Sequence, residues 1–166
     1  MMTVPGLRFA TIDLERDAAT CIKFRRDMYV AAFGTEEGLD AEMGVDGAIY
    51  LAQLRDRIRQ VPEGNTHLWD GNRIVGQTEA RLLDDEPEVG YVSLFYVAPE
   101  ARGRGLARLM HEHVASVFRR RGMRALRLSV SPTNARALAS YRSMGWVRVG
   151  DRAHPMGTMH LMEHPL

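Results

Sequence analysis

The run Val97-Ala98-Pro99-Glu100-Ala101-Arg102-Gly103-Arg104-Gly105-Leu106-Ala107 is where residue types and spacing most directly describe a chemistry. An apolar stretch ends at a proline turn, two glycines alternate with arginines, and a helical pattern then begins. The first turn of a helix leaves backbone N–H groups without intrahelical partners, and they point along the positive end of the helix dipole. A phosphate is stabilised at such a place. Gly103 and Gly105 bring no side chains to hold a pyrophosphate off the backbone, and Arg102, Arg104 and Arg108 add positive charge. No Gly-Lys-Ser/Thr follows, so the run is not a P-loop. Arg108 stands where a dinucleotide fingerprint needs its third glycine or alanine, which excludes that reading as well.

Other reactive residues carry weaker signals. His111-Glu112-His113 lacks the i, i+4 histidine spacing of a zinc-protease helix, and His113 falls on the apolar stripe, as a hydrogen-bonded core histidine would. His154, His160 and His164 alternate with Met156, Met159 and Met162 without a recurring ligand spacing, which describes a strand better than a metal site. Cys21 is the sole cysteine, so no internal disulfide forms, and its helical surroundings make it a small buried hydrophobe.

These residues need elements to hold them. Leu7 to Thr11 reads as a strand, and apolar residues recur with helical period from Glu15 to Phe33 and again at Leu51, Leu54, Ile58 and Val61. The acidic, glycine-rich stretch Gly34 to Gly47 between those helices reads as a loop. Strands at Thr66 to Trp69 and Ile74 to Leu82 flank the hairpin turn Asp70-Gly71-Asn72. Val89 to Ala98 is a strand buried on both faces. A long helix follows, with Leu106, Leu109, Met110, His113, Val114, Val117 and Phe118 on one side and Gly122 at its end. Ala125 to Ser131 is a strand, Asn134 to Met144 a short helix, and Trp146 to Val149 and Thr158 to Met162 the last two strands. The order predicts an α/β domain with a mixed sheet, one unit over residues 1–166.

At this point the residues resemble a known family. Arg102-x-x-Gly105-x-Ala107 is similar to the Arg/Gln-x-x-Gly-x-Gly/Ala signature of the GNAT superfamily of N-acetyltransferases, and Val97-x-Pro99-Glu100-x-Arg102-Gly103 resembles the family's approach to that loop. Asn134-x-x-Ala137-x-x-x-Tyr141-x-x-x-Gly145-Trp146 resembles the family's Asn…Tyr…Gly-Phe region, with Trp in place of Phe. The order of elements agrees over nearly the whole chain, least well across residues 15–62.

The resemblance implies a mostly antiparallel central sheet flanked by helices, and transfer of an acetyl group from acetyl-CoA to a primary amine without a metal. Arg102, Gly103, Arg104, Gly105, Leu106 and Ala107 would hold the pyrophosphate, chiefly through backbone N–H groups. Phe95, Tyr96 and Val97 would pair with the pantetheine arm as an added strand, in the gap where this strand splays from Ala125 to Ser131. Asn134 would touch the cofactor, and Tyr141 would protonate the departing thiolate. A phenol suits that role on chemical grounds too, since its pKa of about 10 is near that of a thiol. The family often places a base at positions that align with Tyr91 and Ser93, neither of which is one. Glu79 and Glu88 are the nearest carboxylates by topology, and Glu79 is the candidate base. The family often forms dimers, which makes a homodimer an implied state.

Composition bounds the rest. The chain has 166 residues, 45% hydrophobic and 26% charged, which excludes wholesale disorder. Its longest apolar stretch, Tyr91 to Ala98, is interrupted by Ser93 and falls far short of the roughly 20 residues of a membrane span. The N-terminus lacks the pattern of a signal peptide, so the expected location is the cytoplasm. Residues 1–100 hold 18 Asp and Glu against 10 Lys and Arg, and residues 101–166 hold 3 against 12. That split predicts a cationic amine facing the acidic segment 36–46 and the cofactor on the basic half. Two rival readings stand beside this one: an acyl-CoA-binding sensor without turnover, and nucleic-acid binding through Arg119-Arg120-Arg121, Arg124 and Arg127. Few aromatics lie near those arginines to stack on bases, so no nucleic-acid partner is expected.

Overall fold

In a computed structural model that describes residues 5–166, the turn at Gly71-Asn72 closes a two-residue hairpin. It joins β2 (Thr66–Asp70) to β3 (Arg73–Leu82), with Asp70 opposite Arg73. β1 (Leu7–Thr11) pairs on the outer side of β2, and β4 (Val89–Val97) on the far side of β3. Beyond it come β5 (Ala125–Val130), β7 (Gly157–Pro165) and β6 (Val147–His154), giving one seven-stranded sheet in the order β1-β2-β3-β4-β5-β7-β6.

Every neighbouring pair is antiparallel except β4 and β5. A parallel pair needs a long crossover, and α4 (Leu106–Arg120) supplies it. The β4–β5 pairing covers only Val89 with Ala125, Gly90 with Leu126 and Tyr91 with Arg127. Two residues on, β4 bulges. Ala80 faces Val92 and Glu79 faces Leu94, so Ser93 is an extra residue on β4. A bulge bends its strand, and from here β4 and β5 part.

Helices cover both faces. On one, Val114 and Phe118 of α4, Leu138 of α5 (Ala135–Ser143) and Trp146 pack on Ala80, Val92, Leu126, Leu128 and Val130. On the other lie α1 (Leu14–Phe33), α2 (Leu39–Met43) and α3 (Ala48–Gln60), joined around Cys21, Tyr29, Tyr50 and Leu54. The mixed α/β architecture and the mostly antiparallel sheet are those expected from the sequence.

Three local expectations change. The segment 34–47 contains α2, whose Leu39 and Met43 are buried one helical turn apart; five residues between glycines are too few to show a period. β6 and β7 run longer than the apolar stretches that announced them, because β6 is an edge strand with an almost wholly exposed burial pattern and no alternation to read. On α4 the buried histidine is His111, while His113 is half-buried, stacks on Phe9 at 3.9 Å and hydrogen-bonds the Glu63 carbonyl (2.8 Å). No described helix is long and apolar enough to cross a membrane.

Candidate active site

The parting of β4 and β5 opens a cleft of about 490 Å³. Phe95, Tyr96 and Val97 form one wall, residues 128–131 the other, and Asn134 and Tyr141 of the α5 region close it. Tyr96 turns its ring onto Phe24 of α1, with centroids 4.4 Å apart, and its hydroxyl donates to Asp27 Oδ2 (2.8 Å). At that position β4 therefore offers the cleft its backbone, as an added strand would require.

One end of the cleft is built from main chain. Gly103 (φ +82°) and Gly105 (φ +76°) adopt the left-handed conformation that favours glycine, and a Cβ on either would meet nothing within 4 Å. Gly103, Gly105, Leu106 and Ala107 all line the cleft. α4 starts at Gly105 with no side-chain cap. By contrast, Asp13 caps α1 by accepting from the Glu15 and Arg16 amides, and Asn134 caps α5 by accepting from the Ala137 amide (3.2 Å). An uncapped helix start with open space before it leaves its first N–H groups for an external acceptor. These residues thus fit a pyrophosphate. Arg102 also lines the cleft and anchors the loop by donating from Nε to the Val97 carbonyl (3.2 Å). Arg104, grouped with it on sequence, sends its guanidinium the other way, to Asp70 Oδ2 at 2.9 Å, and is not part of the cleft wall.

Tyr141 faces the cleft between the rings of Phe95 (6.5 Å) and Trp146 (5.9 Å). Its hydroxyl makes no hydrogen bond to another described residue, and burial pushes its phenol up to about 12. It therefore carries its proton at neutral pH, aimed at open space.

Glu79 is placed differently from the candidate base read in the sequence. It is fully buried and accepts from three donors: Tyr50 Oη (2.6 Å), Gln77 Nε2 (2.8 Å) and Arg57 Nη1 (2.8 Å). It does not reach the cleft. Its neighbour Arg57 does, held by this carboxylate. The network continues inward from Gln77 Oε1, which accepts from His67 Nε2 (2.7 Å), to Cys21 Sγ, 3.6 Å from that imidazole. Burial pushes the Cys21 thiol up, which makes it an inert core group.

The model of the acetyltransferase (GNAT) family matches residues 26–146, from within α1 to the end of the α5 region. The chain belongs to the GNAT acetyltransferase family. Streptothricin acetyltransferase of Streptomyces lavendulae is 42% identical over 71 residues, which are 42% of this chain and 38% of that protein. The chain thus spans well under two thirds of that curated relative's length. Among solved structures, an acetyltransferase from Thermus thermophilus is 25% identical with a TM-score of 0.75, covering 99% of this chain and 100% of that one. A PaiA N-acetyltransferase from Thermoplasma acidophilum, solved with coenzyme A, is 14% identical with a TM-score of 0.77, covering 96% and 99%.

The other end of the cleft lies around Tyr91 and Ser93; Arg25 and Arg81 line it, and Arg152 reaches the Tyr91 hydroxyl from outside the wall, charges that sequence reasoning missed. Arg25 donates to the Ser93 carbonyl (2.9 Å), the Arg81 guanidinium lies 4.4 Å from the Tyr91 ring centre, and Arg152 donates to Tyr91 Oη (2.6 Å). They come from α1, β3 and β6, and only the fold brings them together. The one available signal is that Tyr91 and Ser93 stand where a base is common. The acidic segment 36–46 is not the wall expected. Glu36, Glu37 and Asp40 are exposed, and of that segment only Glu42 lines the cleft, 3.3 Å from His154 Nε2. Of the C-terminal arginines, Arg121 pairs with Glu63, Arg124 with Glu86, Glu88 and Glu163, and Arg127 with Glu86 and Glu163, leaving those charges largely met. No group of three or more metal-ligating side chains occurs among the described residues.

Proposed function

We propose that this chain transfers the acetyl group of acetyl-CoA to a primary amine within the cleft. The observation that carries the reading is the uncapped start of α4 behind Gly103 and Gly105, at one end of a gap with an exposed strand backbone on its wall. Acetyl-CoA supplies the activated acyl group. The amides of residues 105–107 hold its pyrophosphate, Phe95 to Val97 align its arm, and Asn134 contributes its side-chain amide. Tyr141 donates its proton toward the leaving sulfur. A phenol near 12 is a weak acid beside a thiol of ordinary pKa, about 8.5. Burial that raises the phenol also raises the pKa of a thiol held against it, which narrows the gap between donor and acceptor as the C–S bond breaks.

The amine must arrive without its proton or lose it in the cleft. Glu79 is walled in by three donors. Glu42, with His154 against it, is the one carboxylate among the described residues lining the cleft, and takes the role of proton acceptor. The direct test incubates the protein with acetyl-CoA and a panel of primary amines, scoring free thiol. Amine-dependent release is expected. Tight acetyl-CoA binding by calorimetry with no thiol released from any amine would show a sensor instead.

A further inference from the structure

At the Tyr91 end of the cleft two guanidiniums stand without a carboxylate in ion-pair distance among the described residues. Arg57 is met by Glu79 and Arg127 by Glu86 and Glu163. Arg81 and Arg152 have no carboxylate within ion-pair distance among the described residues, yet both guanidiniums lie over one ring, 4.4 and 5.4 Å from the centre of Tyr91. Arg81 is half-buried. Its burial, then the nearby Arg152 and Arg57, pull the guanidinium below its ordinary pKa, against the opposing pulls of Tyr91 and Asp84. Two like charges over one ring, Arg81 half-buried and Arg152 exposed, repel each other until an anion joins them. The planar fork of arginine suits carboxylate and phosphate oxygens. A polar group at the same place also lacks a partner. Ser93 Oγ, in the cleft wall at the bulge, is buried without a hydrogen-bond partner.

We propose that the acceptor amine carries an anionic group, a carboxylate or a phosphate, which Arg81 and Arg152 grip above Tyr91. This rests on reading the cleft as an acetyl-transfer site. Tyr91 is the last β4 residue paired with β5, so the grip sits at the closed vertex of the gap. The amine of the gripped molecule extends past Ser93 to where the strands open and the acetyl group is delivered.

The test uses amines of equal length ending in a carboxylate, a phosphate or an uncharged amide, assayed at saturating acetyl-CoA by thiol release. The better anionic member is expected to exceed the amide about 10- to 100-fold in kcat/KM, as charge-assisted hydrogen bonds allow. Which anion leads identifies the group. In Arg81→Gln and Arg152→Gln that ratio falls toward one, through a higher KM for the anionic amine, while the KM for acetyl-CoA holds. Amides turned over as well as the anions, or a ratio untouched by both substitutions, would overturn the grip while leaving acetyl transfer standing. No thiol release from any amine overturns the transfer reading itself.

Discussion

The two ends of the cleft recognise charge by different means. At the Gly103–Ala107 end the positive field comes from main-chain N–H groups at a helix start, fixed by two left-handed glycines. At the Tyr91 end it comes from side chains of α1, β3 and β6 converging on Tyr91 and Ser93 of β4. A field built from backbone is pre-organised and tolerates change around it, because one short run of the chain carries the whole device. A field built from several elements depends on each of them and can be retuned one side chain at a time. The first suits a ligand read through its phosphates, the second a ligand read through groups particular to it.

The largest test of this contrast lies between the ends. Tyr141→Phe should lower kcat about 10²- to 10⁴-fold, the usual cost of losing a general acid, with the acetyl-CoA Kd nearly unchanged, because Phe keeps the packing against Phe95 and Trp146. With the phenol near 12, wild-type kcat should show no alkaline fall due to this residue below about pH 10. A full-speed Phe variant would remove the hydroxyl from the chemistry.

Glu79→Ala asks how far the side-chain end depends on its foundation. Removing one partner of a buried pair costs about 3–5 kcal/mol, so denaturant unfolding should show a loss of that order as Arg57 loses its carboxylate. A stable variant whose kcat/KM alone collapses would restore Glu79 as the base. Gly105→Asp should weaken acetyl-CoA binding about 100-fold by calorimetry, because the carboxylate repels phosphate at the helix start. The left-handed backbone there costs about 1–2 kcal/mol of stability in addition. Unchanged affinity in the folded variant would dismiss the main-chain cradle.

The smallest effect concerns stability and pH. His67 under the side-chain end and His111 on α4 are both held below their ordinary pKa, in each case chiefly by burial. They stay neutral in the folded chain while the unfolded chain takes up protons below about pH 6.5. Stability is therefore complete above that pH and falls as pH drops toward the folded values, by at most about 1.4 kcal/mol per pH unit for each histidine. His111→Phe should flatten part of that slope in unfolding curves at about pH 7.5 and 5.5, on either side of the unfolded histidine value. An unchanged slope would mean that His111 already shares its charge state with the unfolded chain.

What is legible in the sequence divides along the same line. The glycine loop, the turn at Asp70-Gly71-Asn72 and the stripe of α4 are local patterns, and each appears where expected save that His111 and not His113 is the buried histidine of α4. Arg104 departs from its own motif, since nothing in its neighbourhood reveals Asp70, 34 residues earlier in the chain. Topology nominates Glu79, but its partners Tyr50 and Arg57 come from α3, where the family pattern is weakest. Arg81 and Arg152 belong to β3 and β6 and meet only because the fold sets Tyr91 between them. A linear pattern cannot show that Glu36, Glu37 and Asp40 expose their charges to water.

With three residue pairs joining β4 to β5, the sheet is two stiff plates sharing a short hinge, and the helices and hairpins around them supply the remaining coupling. Some main-chain amides along the gap have no strand opposite, so hydrogen exchange should be fastest there among the sheet residues. A molecule laid along the gap and bonded to both plates ties their motions together. At a concentration about a hundred times its Kd, such a ligand adds about 2.7 kcal/mol to unfolding. The free protein is then the more elastic form, and ligand binding stiffens it.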